Sequence, residues 1–379
     1  MNCRQNVFNR RDFIAGAGAA ALAGLHGCRT VCGGRGGKGS YSVSILGDTH
    51  FDSTDRETYH SMYRPEIPWK SRVCEREFKR NADMWAERMP RLIAAAADCR
   101  TDDAAFLLQL GDLAQGDCCD YRTHVRQLRD AERACRRGME DLDFIVVCGN
   151  HDIREMVTKD GDRAFDEWYG RPRVWMRREG EDAWIFVDFM RPDTDAIFAA
   201  LKASDGARHT FFVSHGPVSP TDNWGFYWFL YGEVCYTEER RALRSELAKR
   251  NAIVLAGHTH CTSLMEWRGS EGSIVQFIAN SVWGRPDAHK APLVADDPRE
   301  FGSLYVKKHV TDAPDEHDGR YTTRTRAESL ALMEEYAGMS RYLRWNSAGH
   351  CRLLVEPDSV DMVFYPGDSR TPAMTFRLA

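Results

Sequence analysis

The chain has 379 residues, of which 43% are hydrophobic and 28% charged, and a formal net charge of −5 at neutral pH. This composition permits one sizeable globular unit with a large core. The acidic balance supplies no basic footprint for a phosphate backbone, which disfavours polymeric nucleic acid as substrate or partner, and no apolar run is long enough to span a bilayer.

The chain opens on Asn9-Arg10-Arg11-Asp12-Phe13-Ile14, which resembles the twin-arginine export motif. The uncharged stretch 13–25 that follows is too short to cross a membrane, so residues 1–28 read as a signal peptide and the protein as exported, to the periplasm or cell surface. Leu25-His26-Gly27-Cys28 has the form of a lipobox, with His26 where a small residue is usual. Lipidation of Cys28 would tether the chain to a membrane; ordinary signal-peptidase cleavage and an uncleaved anchor are the alternatives. Residues 29–40 read as a Gly-rich linker. They are no phosphate-cradling loop, because they precede the first strand and Lys38 is followed by Gly39 where that motif needs Ser or Thr.

Short β-branched and apolar runs at 41–46, 104–110, 144–148, 210–213 and 252–255 have the length and composition of buried strands. Each ends in a polar motif: Gly47-Asp48-Thr49-His50, Gly111-Asp112, Gly149-Asn150-His151-Asp152, Ser214-His215-Gly216 and Gly257-His258-Thr259-His260. Amphipathic helices are expected between them at 74–98, 121–137 and 238–250, and the alternation of strand and helix predicts an α/β fold. In open α/β sheets, binding sites collect at the carboxyl ends of strands, so five strand ends could converge on one crevice. A strand is expected at 273–279, a long surface excursion at 284–325, a helix at 327–337, and a closing antiparallel meander from the runs 342–345, 351–355 and 360–365.

The ordered motif set resembles the calcineurin-like metallophosphoesterase superfamily, whose pattern is D-x-H, G-D, G-N-H-[DE], H and G-H-x-H. Every element is present. The resemblance implies a four-layer α-β-β-α sandwich with two packed mixed sheets over residues 41–283, and a C-terminal antiparallel β extension within 284–379. It places Asp48, His50 and His260 on one metal, Asn150, His215 and His258 on a second, and Asp112 between them. His151 is implied beside the scissile phosphate, with Asp152 either its orienting partner or a helix cap. The implied reaction is attack on phosphorus by a hydroxide that bridges the metals, which also neutralise charge on the phosphoryl oxygens. Carboxylate, amide and imidazole ligands suit manganese, iron, zinc or cobalt and do not choose among them.

The expected substrate is a small phosphorylated molecule. A phosphodiesterase of the cyclic-nucleotide or glycerophosphodiester type is favoured over an exported phosphatase or nucleotidase, then a nuclease, then a non-catalytic metal-containing surface lipoprotein. Arg154 is read either as a phosphate contact or as a solvated helix-face residue. The aromatic segment 223–232, with Trp224, Tyr227 and Trp228, either walls the crevice or packs as a small core of its own, and Trp283 could join either arrangement. Of twelve cysteines, those beyond Cys3 and Cys28 could pair in an oxidising compartment, Cys118 and Cys119 with partners among Cys74, Cys99 and Cys135, or else stay reduced. The remaining histidines, His60 among them, read as ordinary surface or core residues. Oligomeric state is not legible.

Overall fold

A computed structural model describes residues 39–61, 68–154, 160–219, 236–291, 294–296, 335 and 338–379. The apolar runs become strands whose side chains alternate between two environments, as the two-residue period of extended chain requires. In β1 (Tyr41–Leu46), Val43 and Ile45 face one cluster and Leu46 another. In β2 (Ala104–Gln109), Phe106 and Leu108 join the first and Leu107 the second. Strands β5 (Asp182–Val187), β6 (Thr210–Ser214) and β7 (Ile253–Ala256) send Trp184, Phe186, Phe211, Val213, Ile253 and Leu255 into that same first cluster, and turn Ile185, Phe212 and Val254 away from it. The shared cluster therefore lies between two sheets. Each such side chain contributes about 1.5–3 kcal/mol on burial, which makes this layer the main force holding the sheets face to face.

The first sheet joins β1 and β2 to β3 (Asp143–Val146), β12 (Gly349–Glu356), β13 (Ser359–Pro366) and β14 (Met374–Arg377), in the order β14-β13-β12-β1-β2-β3. The second joins β5, β6 and β7 to β4 (Val174–Glu179), β8 (Thr262–Arg268), β9 (Ser273–Ile278), β10 (Val294–Asp296) and β11 (Met339–Trp345), in the order β10-β11-β8-β9-β7-β6-β5-β4. Both are mixed: β1, β2 and β3 run parallel, as do β5, β6, β7 and β9, and their outer neighbours run antiparallel.

Helices close both outer faces. The long helical segment over the first sheet is α1 (Pro68–Asp83), a π-helical turn (Met84–Arg88) and α2 (Met89–Asp98), joined there by α3 (Tyr121–Cys135) and α4 (Gly161–Tyr169). Over the second lie α5 (Thr194–Ala203) and α6 (Thr237–Lys249). The result is a four-layer α-β-β-α sandwich. Pro90 explains the π turn: it cannot donate to the carbonyl four residues back, and Met89 donates instead to Met84, five residues back.

Three expectations change. The C-terminal antiparallel extension is present as β12, β13 and β14, but the run at 339–345 is not part of it: β11 pairs with β8 of the second sheet. Because β12 lies directly beside β1, the C-terminal strands complete the first sheet from within rather than resting on a finished domain. The eight described cysteines are free thiols, so the suggested bonds of Cys118 and Cys119 to Cys74, Cys99 or Cys135 are not formed. The signal peptide with Cys28, the linker through residue 38, the aromatic segment with Trp224, Tyr227 and Trp228, the helix at 327–337 apart from residue 335, and most of the excursion lie outside the described residues.

Candidate metal centre

Strand register decides which side chains meet. Parallel β1, β2 and β3 end side by side, delivering Asp48 and His50, then Asp112, then Asn150 and His151; β6 and β7 end opposite them, delivering His215, then His258 and His260. Across that junction, Asp48 accepts the His258 backbone N–H at 2.9 Å. Asp112 is central: its Oδ2 lies 3.3 Å from His215 Nε2 and 3.7 Å from His50 Nε2, and its Oδ1 accepts the His151 N–H at 2.7 Å. The Nε2 atoms of His50 and His260 are 2.8 Å apart, and His258 Nδ1 is 3.0 Å from His215 Nε2.

Two groups of ligand atoms result. Asp48, His50, Asp112 and His260 form one, and Asp112, His215 and His258 the other, with the atoms of each group within 4.8 Å of one another. They share Asp112, as a carboxylate bridge between two cations would require. Asn150 adds a buried Oδ1 that has no hydrogen-bond partner. Such an orphan costs about 1–3 kcal/mol unless something completes it, and a cation would. The donor set therefore fits transition-metal ions.

Backbone geometry is committed to this arrangement. His50, Asp112, His258 and His260 all have left-handed φ angles of 42°, 51°, 70° and 50°. Each such non-glycine residue costs about 1–3 kcal/mol, a strain typical of sites where side-chain aim outweighs local comfort. Two glycines make the close approach feasible. A Cβ on Gly149 would stand 2.1 Å from the Asp112 nitrogen, and one on Gly111, whose φ is +88°, would stand 2.4 Å from His215 Nδ1.

Electrostatics follow from burying two carboxylates among imidazoles. Burial pushes the Asp112 carboxyl up, but His215 and His151 more than reverse this and hold it well below the usual range. Burial also pulls His215 down, yet Asp112 beside it lifts the imidazole to about 9. Asp48 is raised by its burial. His50 and His258 are held well below the ordinary value by burial and neighbouring imidazoles, and His260 falls to about 3 through burial and the Arg80 charge. The metal-free centre thus keeps a proton on His215, while the depressed imidazoles stay neutral, the form in which they ligate a cation.

His151 stands outside both ligand groups, its ring edge-on to His50 with centroids 4.5 Å apart. Its Nδ1 donates to the Gln115 carbonyl at 2.9 Å, and its Nε2 is 3.1 Å from Arg154 Nη1. The expected orienting contact from Asp152 is not made. That carboxylate accepts the backbone N–H groups of Ala114 at 3.0 Å and Gly149 at 2.9 Å, tying two motif loops together. Among the described residues it caps no helix. Arg154 is partly buried and committed within the protein: its Nη2 is paired with Glu77 at 2.7 Å and with Asp117.

Sequence reading missed the polar face of α1. Glu77 and Asn81 both reach Gln115, which orients His151, while Trp85 donates to the carbonyls of Thr49 and His50 at 3.0 and 3.2 Å. The helical spacing of Glu77, Arg80, Asn81 and Trp85 was the available signal. Phe189 also escaped notice; its ring packs 5.3 Å from His258 and 5.9 Å from His215. Trp283 is buried with the helices over the first sheet. His60 is buried against Asp52 at 2.9 Å, stacked on Phe78 and apart from the ligand groups.

A family model described as calcineurin-like phosphoesterase matches residues 41–262. No curated protein matches the chain. Among solved structures, a purple acid phosphatase from yellow lupin (Lupinus luteus) seeds shares 11% identity with a TM-score of 0.49, covering 89% of this chain and 53% of its own. This chain therefore spans about half the length of that protein. A structure of PhoD shares 8% identity with a TM-score of 0.49, over 91% of this chain and 70% of its own. A dimetal phosphatase from Danio rerio shares 12% identity with a TM-score of 0.45, over 89% and 99%.

Proposed function

This chain belongs to the calcineurin-like phosphoesterase family, and from that premise we propose that it is an exported phosphoesterase with a dinuclear metal centre, hydrolysing phosphodiesters or phosphomonoesters of small molecules. One observation carries the dinuclear reading: two groups of ligand atoms, each within 4.8 Å, meet at the single carboxylate of Asp112. Asp48, His50 and His260 would hold one cation with Asp112, and Asn150, His215 and His258 the other. When bound, the two cations supply Lewis acidity to water and to the phosphoryl oxygens. Export rests on the N-terminal sequence motif alone.

The chain's own residues do the rest. Asp48 and Asp112, fixed by backbone N–H groups of His258 and His151, cannot swing away from the ligand histidines. The Gln115 carbonyl holds the His151 proton on Nδ1, which leaves Nε2 as the atom that gains and loses a proton. Burial and Arg154 keep that imidazole neutral in the free protein. A phosphate anion entering beside it opposes both effects and competes for the Arg154 N–H that Nε2 accepts, so Nε2, released from Arg154, takes up a proton in the complex and passes it to the leaving oxygen as the ester P–O bond breaks and water adds to phosphorus.

Hydrolysis of bis-p-nitrophenyl phosphate and p-nitrophenyl phosphate by the purified chain, with manganese, zinc or iron and an Asp112→Asn control, tests the proposal. Turnover of either ester, abolished in the control, is expected. A metal-loaded protein that turns over neither would refute the enzymatic reading and favour a binding role.

A further inference from the structure

Two arginines approach the candidate centre, and they are not equivalent. Arg154 is spent on Glu77, Asp117 and His151. Arg80 donates from Nε to Asn81 Oδ1 at 3.0 Å, and among the described residues its two Nη groups have no hydrogen-bond or ion-pair partner. It is nonetheless held in place. Asn81 donates onward to Gln115, whose carbonyl fixes His151, so Arg80 belongs to the same chain of contacts that aims the proton-carrying imidazole. On the other side, the Arg80 stem rests against Gly284, its Cγ and Cδ 3.6 and 3.4 Å from where a Cβ would stand. Arg80 lies on the helix face, shared with Glu77, Asn81 and Trp85, that is latched to the motif loops. Its charge reaches His260 and His50, two of the proposed ligands.

We propose that Arg80 grips a non-bridging oxygen of a terminal phosphate and makes the site selective for phosphomonoester dianions over diesters. This rests on the phosphoesterase reading and narrows it. A monoester carries a third non-bridging oxygen and a second negative charge that a diester lacks, and a planar guanidinium with two open N–H edges is suited to take them. Glu77 lies near enough to favour the Arg80 charge, but no described carboxylate pairs with its Nη groups, which leaves them for an anionic ligand.

Arg80→Gln and Arg80→Lys test the assignment on metal-loaded protein, with metal content and Tm measured alongside. Calorimetric binding of inorganic phosphate should weaken roughly 10- to 100-fold in Arg80→Gln, the range of a lost charge-assisted contact, and less in Arg80→Lys, which keeps the charge without the fork. KM for p-nitrophenyl phosphate should rise in parallel, and by a clearly larger factor than kcat/KM for bis-p-nitrophenyl phosphate falls. Unchanged phosphate affinity, or equal losses on both esters with metals intact, would overturn the assignment. A wild-type protein that binds phosphate through Arg80 yet hydrolyses neither ester would refute the enzymatic reading while leaving Arg80 as an anion contact.

Discussion

Gly149 offers the sharpest steric test of the centre. A Cβ there would lie 2.1 Å from the Asp112 nitrogen and 2.3 Å from its Oδ1, both far inside contact distance. The obstacle is backbone, not the end of a flexible chain, so Gly149→Ala must push the β2 loop and the Asp112 carboxylate away together. Overpacking of this kind costs about 1–3 kcal/mol, and displacing groups that orient metal ligands typically lowers metal affinity about 10- to 100-fold. Since Asp112 is shared by both ligand groups, both cations should weaken. Gly170→Ala is the control. Its φ is +64° with nothing within 4 Å of a new Cβ, so it should lose about 1–2 kcal/mol of stability through backbone strain and bind metal normally. Metal stoichiometry by mass spectrometry and Tm of the metal-free forms separate the two effects. Gly149→Ala retaining two tightly bound cations would refute the reasoning.

Replacing His151 by Gln should lower turnover about 10²- to 10⁴-fold while leaving metal content unchanged, since it acts on protons and lies outside the ligand groups. Asp152→Asn should lower Tm, because an amide NH₂ cannot accept both the Ala114 and Gly149 N–H groups and one is left unpaired, at about 1–3 kcal/mol. The His215 pKa is raised from an ordinary 6.5 to about 9, so its proton stabilises the metal-free fold fully below pH 6.5 and that stability is lost as pH rises through about 9. Metal must displace the same proton, so calorimetry should show affinity rising with pH over that interval; affinity flat with pH would contradict it. Glu335→Ala removes the buried carboxylate that pairs with both Arg240 and Arg244, and should cost about 3–5 kcal/mol in chemical denaturation.

What was legible in the sequence follows from locality. Strand alternation around Val43, Phe106 and Ile253, and the polar motif just beyond each strand, are short-range patterns, and the sheet edge brings them together without further instruction. Contacts that depend on packing between distant segments were not legible. Nothing in the run 339–345 says that it pairs with β8 while 349–356 crosses to β1; that choice is made by which face each strand buries. The orienting role that the resemblance implied for Asp152 depends on where its side chain turns, and it turns back to the Ala114 and Gly149 backbones. Gln115 was missed because it orients His151 through a main-chain carbonyl, which any residue could supply.

The central claim, two cations bridged by Asp112, is tested most directly by titrating the metal-free protein with manganese while following electron paramagnetic resonance and turnover of p-nitrophenyl phosphate together. Two bound ions per chain are expected, with an exchange-coupled signal from the pair, turnover that rises only as the second ion binds, and loss of the coupling in Asp112→Asn. A single uncoupled ion that supports full activity, or coupling that survives in Asp112→Asn, would contradict it.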